Sequence, residues 1–183
     1  RSAASINENA GSSLTLTATL SIKSDEDVTV SINTTLAIAT EGIDYTDGNG
    51  TLDDITISAG STTGTLSFIP TDDSVYEGDE STAIYIDDVS GGGASSNGIQ
   101  SVTITIIENE NAPTVTLATS ASSIAENAGS SLTLTATLSN VADEDVTVAL
   151  STSGAATEGT DYTDGSGAID DIVISAGSTT GTV

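Results

Sequence analysis

Leu14-Thr-Leu-Thr-Ala-Thr-Leu20 alternates apolar and hydroxyl side chains without a break, and the longer stretch that holds it, Ala10 to Ser21, recurs letter for letter at 128–139. Side chains on an extended backbone point to opposite faces in turn, so this alternation puts Leu14, Leu16, Ala18 and Leu20 on one dry face and the threonines on a wet one. A helix would scatter the same residues around its circumference. The recurrence makes the strand one element of a repeat, and repeats decide architecture before single elements do.

Working outward, Asp25-Glu-Asp-Val-Thr-Val30 returns at 143–148, Glu41-Gly-Ile-Asp-Tyr-Thr-Asp-Gly48 returns with one change at 158–165, and Ile57 to Thr65 returns unchanged at 174–182. The period is that of one β-sandwich domain. Further alternating stretches predict strands at Val28–Ile32, Ile55–Ala59, Gly64–Ile69, Thr82–Asp87 and Ser101–Ile107, with a first strand, Thr114–Ala118, visible in the second copy alone. Two sheets packed through their apolar faces form an all-β sandwich. The expected domains are 1–111, with its first strand missing or partial, and 112–183, without the C-terminal strands. The chain reads as an excerpt of a longer tandem array.

Composition narrows the function. Asp and Glu number 27 against two cations, Arg1 and Lys23, for a net charge of −25, with no His and no Cys. Nucleic acid and anionic membranes repel such a surface, so neither is an expected partner. No stretch reaches the roughly 18 apolar residues of a membrane-spanning helix, so direct membrane insertion is not expected. Without His or Cys there is no Ser-His or Cys-His nucleophile, and aromatics at 3% offer a sugar no platform, so no enzyme is expected.

The carboxylates follow a pattern. If each strand runs opposite to the last, alternate loops share one pole, and those loops carry Glu8, then Glu41, Asp44 and Asp47, then Thr71-Asp-Asp-Ser-Val-Tyr-Glu-Gly-Asp-Glu80, then Glu108-Asn-Glu-Asn111. Like charges about 4 Å apart at a protein surface repel by roughly 4 kcal/mol, so such a pole either splays its acids into water or holds a cation among them. Hard oxygen donors without nitrogen or sulfur suit Ca²⁺. Asp47-Gly-Asn-Gly-Thr-Leu-Asp53 reads either as the start of an oxygen-rich calcium loop or as a tight glycine turn. Gly91 to Gly93 lacks the lysine and helix of a phosphate cradle and reads as a flexible loop. The four tyrosines read as packing residues.

The order Ile6-Asn-Glu-Asn-Ala-Gly11, Glu41-Gly-Ile-Asp-Tyr45, Gly64-Thr-Leu-Ser-Phe68, Asp72-Asp-Ser-Val-Tyr-Glu-Gly-Asp-Glu80 and Val102-Thr-Ile-Thr-Ile-Ile-Glu-Asn-Glu110 resembles the Calx-beta domain. That resemblance implies an immunoglobulin-like antiparallel β-sandwich in tandem repeats, binding Ca²⁺ at the acidic pole. Carried over position by position, it implies Glu8, Asp44, Asp72, Asp73 and Glu77 as ligands, with Glu80 and, at the end of the last strand, Glu108 and Glu110. In the second copy only Glu126 and Asp161 match. The family's consecutive aspartates after the last strand are replaced here by Glu108-Asn-Glu-Asn111, which implies fewer or weaker ions.

The functional expectation is a calcium-binding structural repeat of an extracellular, bacterial surface protein: a stalk, adhesin or fibre whose partners are neighbouring repeats of the same polypeptide. Ca²⁺ would rigidify the junction that begins at Asn111-Ala112-Pro113. The alternatives are a regulatory calcium sensor like the domain pair of sodium/calcium exchangers, and a filament subunit that self-associates into fibres.

Overall fold

The computed structural model describes every residue except Arg1, Leu36, Ala37 and Ala128, so Arg1, one of the two cations, lies outside it. The described residues form strands, turns and loops and no helix. They divide into two units, 1–73 with 78–109, and 74–77 with 110–183.

The first unit is a sandwich. One sheet runs β1 (Ser2–Asn7), β9 (Ser101–Ile107), β8 (Glu80–Ser90), β3 (Val28–Thr35), β5 (Ile55–Ile57); the other runs β2 (Leu14–Thr19), β6 (Thr63–Pro70), β4 (Tyr45–Thr46). Alternation does what the sequence implies: along β5, Ile55 and Ile57 are buried and Thr56 is exposed. The inner faces bury Val28, Val30, Ile55 and Ile57 in one cluster and Ile6, Tyr45, Phe68, Ile84, Ile104 and Ile106 in another. Each fully buried side chain of this size contributes about 1.5–3 kcal/mol. Tyr45 stacks on Phe68 at 4.6 Å, and its hydroxyl lies 3.1 Å from the buried Thr82 hydroxyl, so its one polar atom is satisfied inside the core. Packing is thus the role of Tyr45.

Strand β1 fell in no predicted alternating stretch. Ser2–Asn7 shows no alternation, and it is held instead by parallel pairing to β9 in the register Ser2↔Val102 through Asn7↔Ile107. The run that repeats it, 120–125, forms no strand. Its pairing partner would be a second copy of β9, which the 183 residues do not include. Two close approaches explain particular glycines. A Cβ on Gly64 would stand 2.4 Å from the Thr56 carbonyl oxygen, and one on Gly91 2.2 Å from that of Asp27. Gly91 therefore seats its loop against the turn below, which a reading of the triglycine as a flexible spacer does not foresee.

The second unit repeats the core on a smaller scale. β10 (Val115–Thr119), β11 (Leu134–Leu138) and β15 (Thr180–Thr182) form one sheet, and β13 (Val146–Val148) pairs with β14 (Ile172–Ile174). Between them Ala136, Leu138, Ile172 and Ile174 are buried. A two-residue parallel pair, β7 (Val75–Tyr76) with β12 (Val141–Ala142), completes the unit.

Candidate metal centre

Parallel pairing of β1 with β9 brings the ends of both strands out side by side. Beyond it, the Glu8 amide donates to the Ile107 carbonyl at 3.0 Å, so Glu8 and Glu108 begin adjacent paths off the sheet. The Thr71 amide donates to the Asp44 carbonyl at 2.9 Å, which ties the turn after β3 to the segment after β6. The Asp73 amide donates to Glu8 Oε1 at 3.3 Å, and the Gly78 amide to Glu108 Oε2 at 2.9 Å. Four loops that are far apart in sequence converge through these bonds.

Two pairs of carboxylates result within the first unit. An oxygen of Glu8 lies within 4.8 Å of one of Glu108, and an oxygen of Asp44 within 4.8 Å of one of Glu80. Glu8 and Asp44 are buried and their partners half-buried. Carboxylates at that spacing repel by about 3.5 kcal/mol per pair at an effective dielectric of 20. Two oxygens each about 2.4 Å from one centre are at most about 4.8 Å apart, so each pair can share one Ca²⁺. Two carboxylates supply two to four of the roughly six to eight oxygens that ion takes, and every side-chain donor is a hard oxygen.

Of the residues implied by sequence, Glu8 and Glu108 are brought together in the first unit, as are Asp44 and Glu80, while Glu77 and Glu110 belong to the second unit. Asp72 and Asp73 are exposed and join neither group. In the second unit Glu126 and Asp161 are exposed. Asp161 keeps the local turn of its twin: its Oδ2 accepts from the Thr157 amide at 2.6 Å, as Asp44 Oδ2 does from that of Thr40. What Asp161 lacks is the set of loops that surrounds Asp44.

Other acids are consumed by the fold. Glu41 accepts from the Thr34 hydroxyl and the Leu52 amide, and Glu158 repeats both bonds with Thr152 and Ile169. Asp79, absent from the sequence-derived set, accepts from the Glu108 amide at 3.1 Å and so holds a ligand candidate in place. Its position inside the Glu77-Gly-Asp-Glu80 run was the available signal. Asp47 Oδ1 accepts from the Asn49 amide at 2.7 Å and Oδ2 from the Asp53 amide at 3.2 Å, while Thr46 Oγ1 takes the Gly48 and Gly50 amides. Of the two readings of this segment, the geometry is that of the tight turn.

The twin turn has a measurable signature. Hydrogen bonds from the Ser166 amide and hydroxyl, then the Asp170 amide, lower the Asp164 pKa from the ordinary 3.8 to about 2. A carboxylate whose pKa falls on folding contributes stability above the unfolded value, and that contribution is lost as pH drops through 3.8 towards 2. A carboxyl ¹³C titration is expected to place the Asp164 midpoint near 2; a midpoint at 3.8 or above would show that the turn is open in solution.

The family profile of the Calx-beta domain matches residues 1–110 and again 108–180. The chain belongs to the Calx-beta family. It carries two Calx-beta domains in tandem, and its fold is the immunoglobulin-like sandwich of that family. No curated protein sequence matches it. Among solved structures, CBD12 from CALX1.2 is 15% identical with a TM-score of 0.47, the alignment covering 100% of this chain and 70% of that one. Calcium binding domain CBD12 of CALX1.1 is 19% identical with a TM-score of 0.49, covering 99% and 71%.

Proposed function

We propose that this tandem Calx-beta chain is a calcium-binding structural module of an extracellular surface protein. The observation that supports it most is the two pairs of carboxylates, Glu8 with Glu108 and Asp44 with Glu80, in a chain with 27 acids and two cations. Holding Glu108 on an ion would fix the path of the backbone as it leaves β9 towards Asn111-Ala112-Pro113, where proline already restricts Ala112 to extended conformations. The ion's contribution is charge neutralisation and cross-linking of loops; the chain's own residues supply the oxygens and, through Asp79 and the Gly78 amide, their placement. We assign the protein no catalytic role, and its partners in this reading are neighbouring repeats.

A tandem pair of Calx-beta domains supports a second reading equally, that of a regulatory calcium sensor. Calorimetric titration of the apo protein with CaCl₂ tests the shared premise. Saturable binding at two or more sites, weakened at least tenfold by Glu8→Gln with Glu80→Gln, is expected; absence of a calcium-specific heat would reject both readings. The flanking sequence in the full-length gene then separates them. A sensor requires a coupled membrane-spanning region in the same polypeptide, whereas a structural module requires further repeats beside these two.

A further inference from the structure

We propose that Asn97, in the loop between β8 and β9, is a self-modification site. The Gly98 backbone nitrogen attacks the Asn97 side-chain carbonyl carbon, and the bond from that carbon to the amide nitrogen breaks. The leaving nitrogen takes up the proton that Gly98 gives up and departs as ammonia. Water then opens the resulting five-membered imide at either carbonyl, adding hydroxyl to carbon and hydrogen to nitrogen, and leaves aspartate or isoaspartate.

This ring closes most readily where glycine follows asparagine or aspartate, because glycine has no side chain to crowd the attacking nitrogen. The chain has four such steps: Asp47-Gly48, Asn49-Gly50, Asn97-Gly98 and Asp164-Gly165. Three of them are locked. The Gly48 and Gly50 amides both donate to Thr46 Oγ1, at 3.1 and 3.0 Å, and the Gly165 amide donates to Thr163 Oγ1 at 3.1 Å. Asn49 is pinned further by its own amide, which donates to Asp47 Oδ1 at 2.7 Å. A nitrogen held this way is not free to swing onto the neighbouring side chain. Gly98 is the exception. Among the described residues nothing accepts from its amide, and a Cβ placed on it would meet no atom within 4 Å.

The bonds this loop does make fall on carbonyl oxygens. Ser96 Oγ donates to the Gly98 carbonyl at 2.8 Å, and Gln100 Nε2 to the Asn97 carbonyl at 2.7 Å. The Asn97 carbonyl and the Gly98 N–H belong to one peptide group. Negative charge that develops as the nitrogen gives up its proton is therefore shared with the oxygen that Gln100 faces, and a donor there favours the charged form. Gln100 is itself anchored through its backbone, whose carbonyl accepts from the Ile86 amide at 3.2 Å. Residues 89–107 hold no ionisable side chain, so the reaction gives the loop its first carboxylate. The acidic pole lies beyond the other end of β9, a strand of seven residues and so roughly 20 Å away. Time since synthesis is thereby written as charge at this loop, and isoaspartate also lengthens the backbone by a methylene.

The test needs no calcium, and its failure leaves the calcium reading untouched. The 183-residue chain is incubated in mildly alkaline buffer, with calcium and with chelator, and followed by peptide mapping and mass spectrometry. In both buffers Asn97 is expected to lose its amide at least tenfold faster than Asn49, yielding aspartate and isoaspartate and releasing ammonia. In urea, where the turn at Asn49 opens, the two rates should converge to within about threefold. Gln100→Glu removes the donor and should slow the reaction at Asn97 at least threefold in the folded chain, an effect that vanishes in urea. Gln100→Lys keeps a donor and should not slow it. Equal rates at Asn97 and Asn49 in the folded chain, a tenfold difference that persists in urea, or an Asn97 rate unmoved by Gln100→Glu would each overturn the proposal.

Discussion

Removing divalent ions with a chelator is expected to lower the melting temperature of the first Calx-beta domain by about 10–20 °C per site. An ion at roughly 100 times its dissociation constant stabilises the state that binds it by about 2.7 kcal/mol, and each kcal/mol moves the midpoint of a domain this size by about 4–8 °C. The physical source is the repulsion between Glu8 and Glu108 and between Asp44 and Glu80, which the fold imposes and an ion would relieve. Glu8→Gln makes the prediction sharper. In millimolar calcium it removes a charged ligand and should lower the midpoint; in chelator it removes a repelling charge and should raise it. Scanning calorimetry in both buffers reads the change of sign. A variant that shifts the midpoint the same way in both would show that Glu8 acts through packing alone.

Phe68→Ala is expected to cost the first domain about 3–5 kcal/mol in urea unfolding, the range for deleting a buried aromatic ring. Phe68 is fully buried, is the chain's only phenylalanine, and stacks on Tyr45, whose hydroxyl is anchored to Thr82. Tyr45, which stacks on the ring, is held in place by its hydroxyl bond to Thr82, so most of the cavity should persist. Tyr162, the repeat's equivalent of Tyr45, is only half-buried in a unit whose sequence ends before a matching phenylalanine. A loss below about 1 kcal/mol would mean that the core closes over the gap.

The strands legible in the sequence were those whose period-two alternation is local. Leu14–Leu20, Gly64–Ile69 and Ser101–Ile107 each lie within a residue or so of β2, β6 and β9. β1 was not legible because what makes Ser2–Asn7 a strand is its neighbour β9, about a hundred residues away, rather than any pattern of its own. At the acidic pole, chain parity alone indicates which loops meet, and Glu8, Asp44, Glu80 and Glu108 do converge. Parity cannot say which acids the backbone claims first. Glu41 and Asp47 spend their oxygens on amides and a hydroxyl, Asp79 spends one on Glu108, and Asp72 and Asp73 face outward. Side-chain bonds to nearby amides depend on where the turn bends, and that is set by packing.

Calcium anomalous scattering from crystals grown in millimolar CaCl₂ would locate the ions themselves. Peaks are expected about 2.3–2.6 Å from the carboxylate oxygens of Glu8 and Glu108 and of Asp44 and Glu80. A well-ordered map with these four side chains turned to solvent and no anomalous peak among them would contradict calcium binding at this pole.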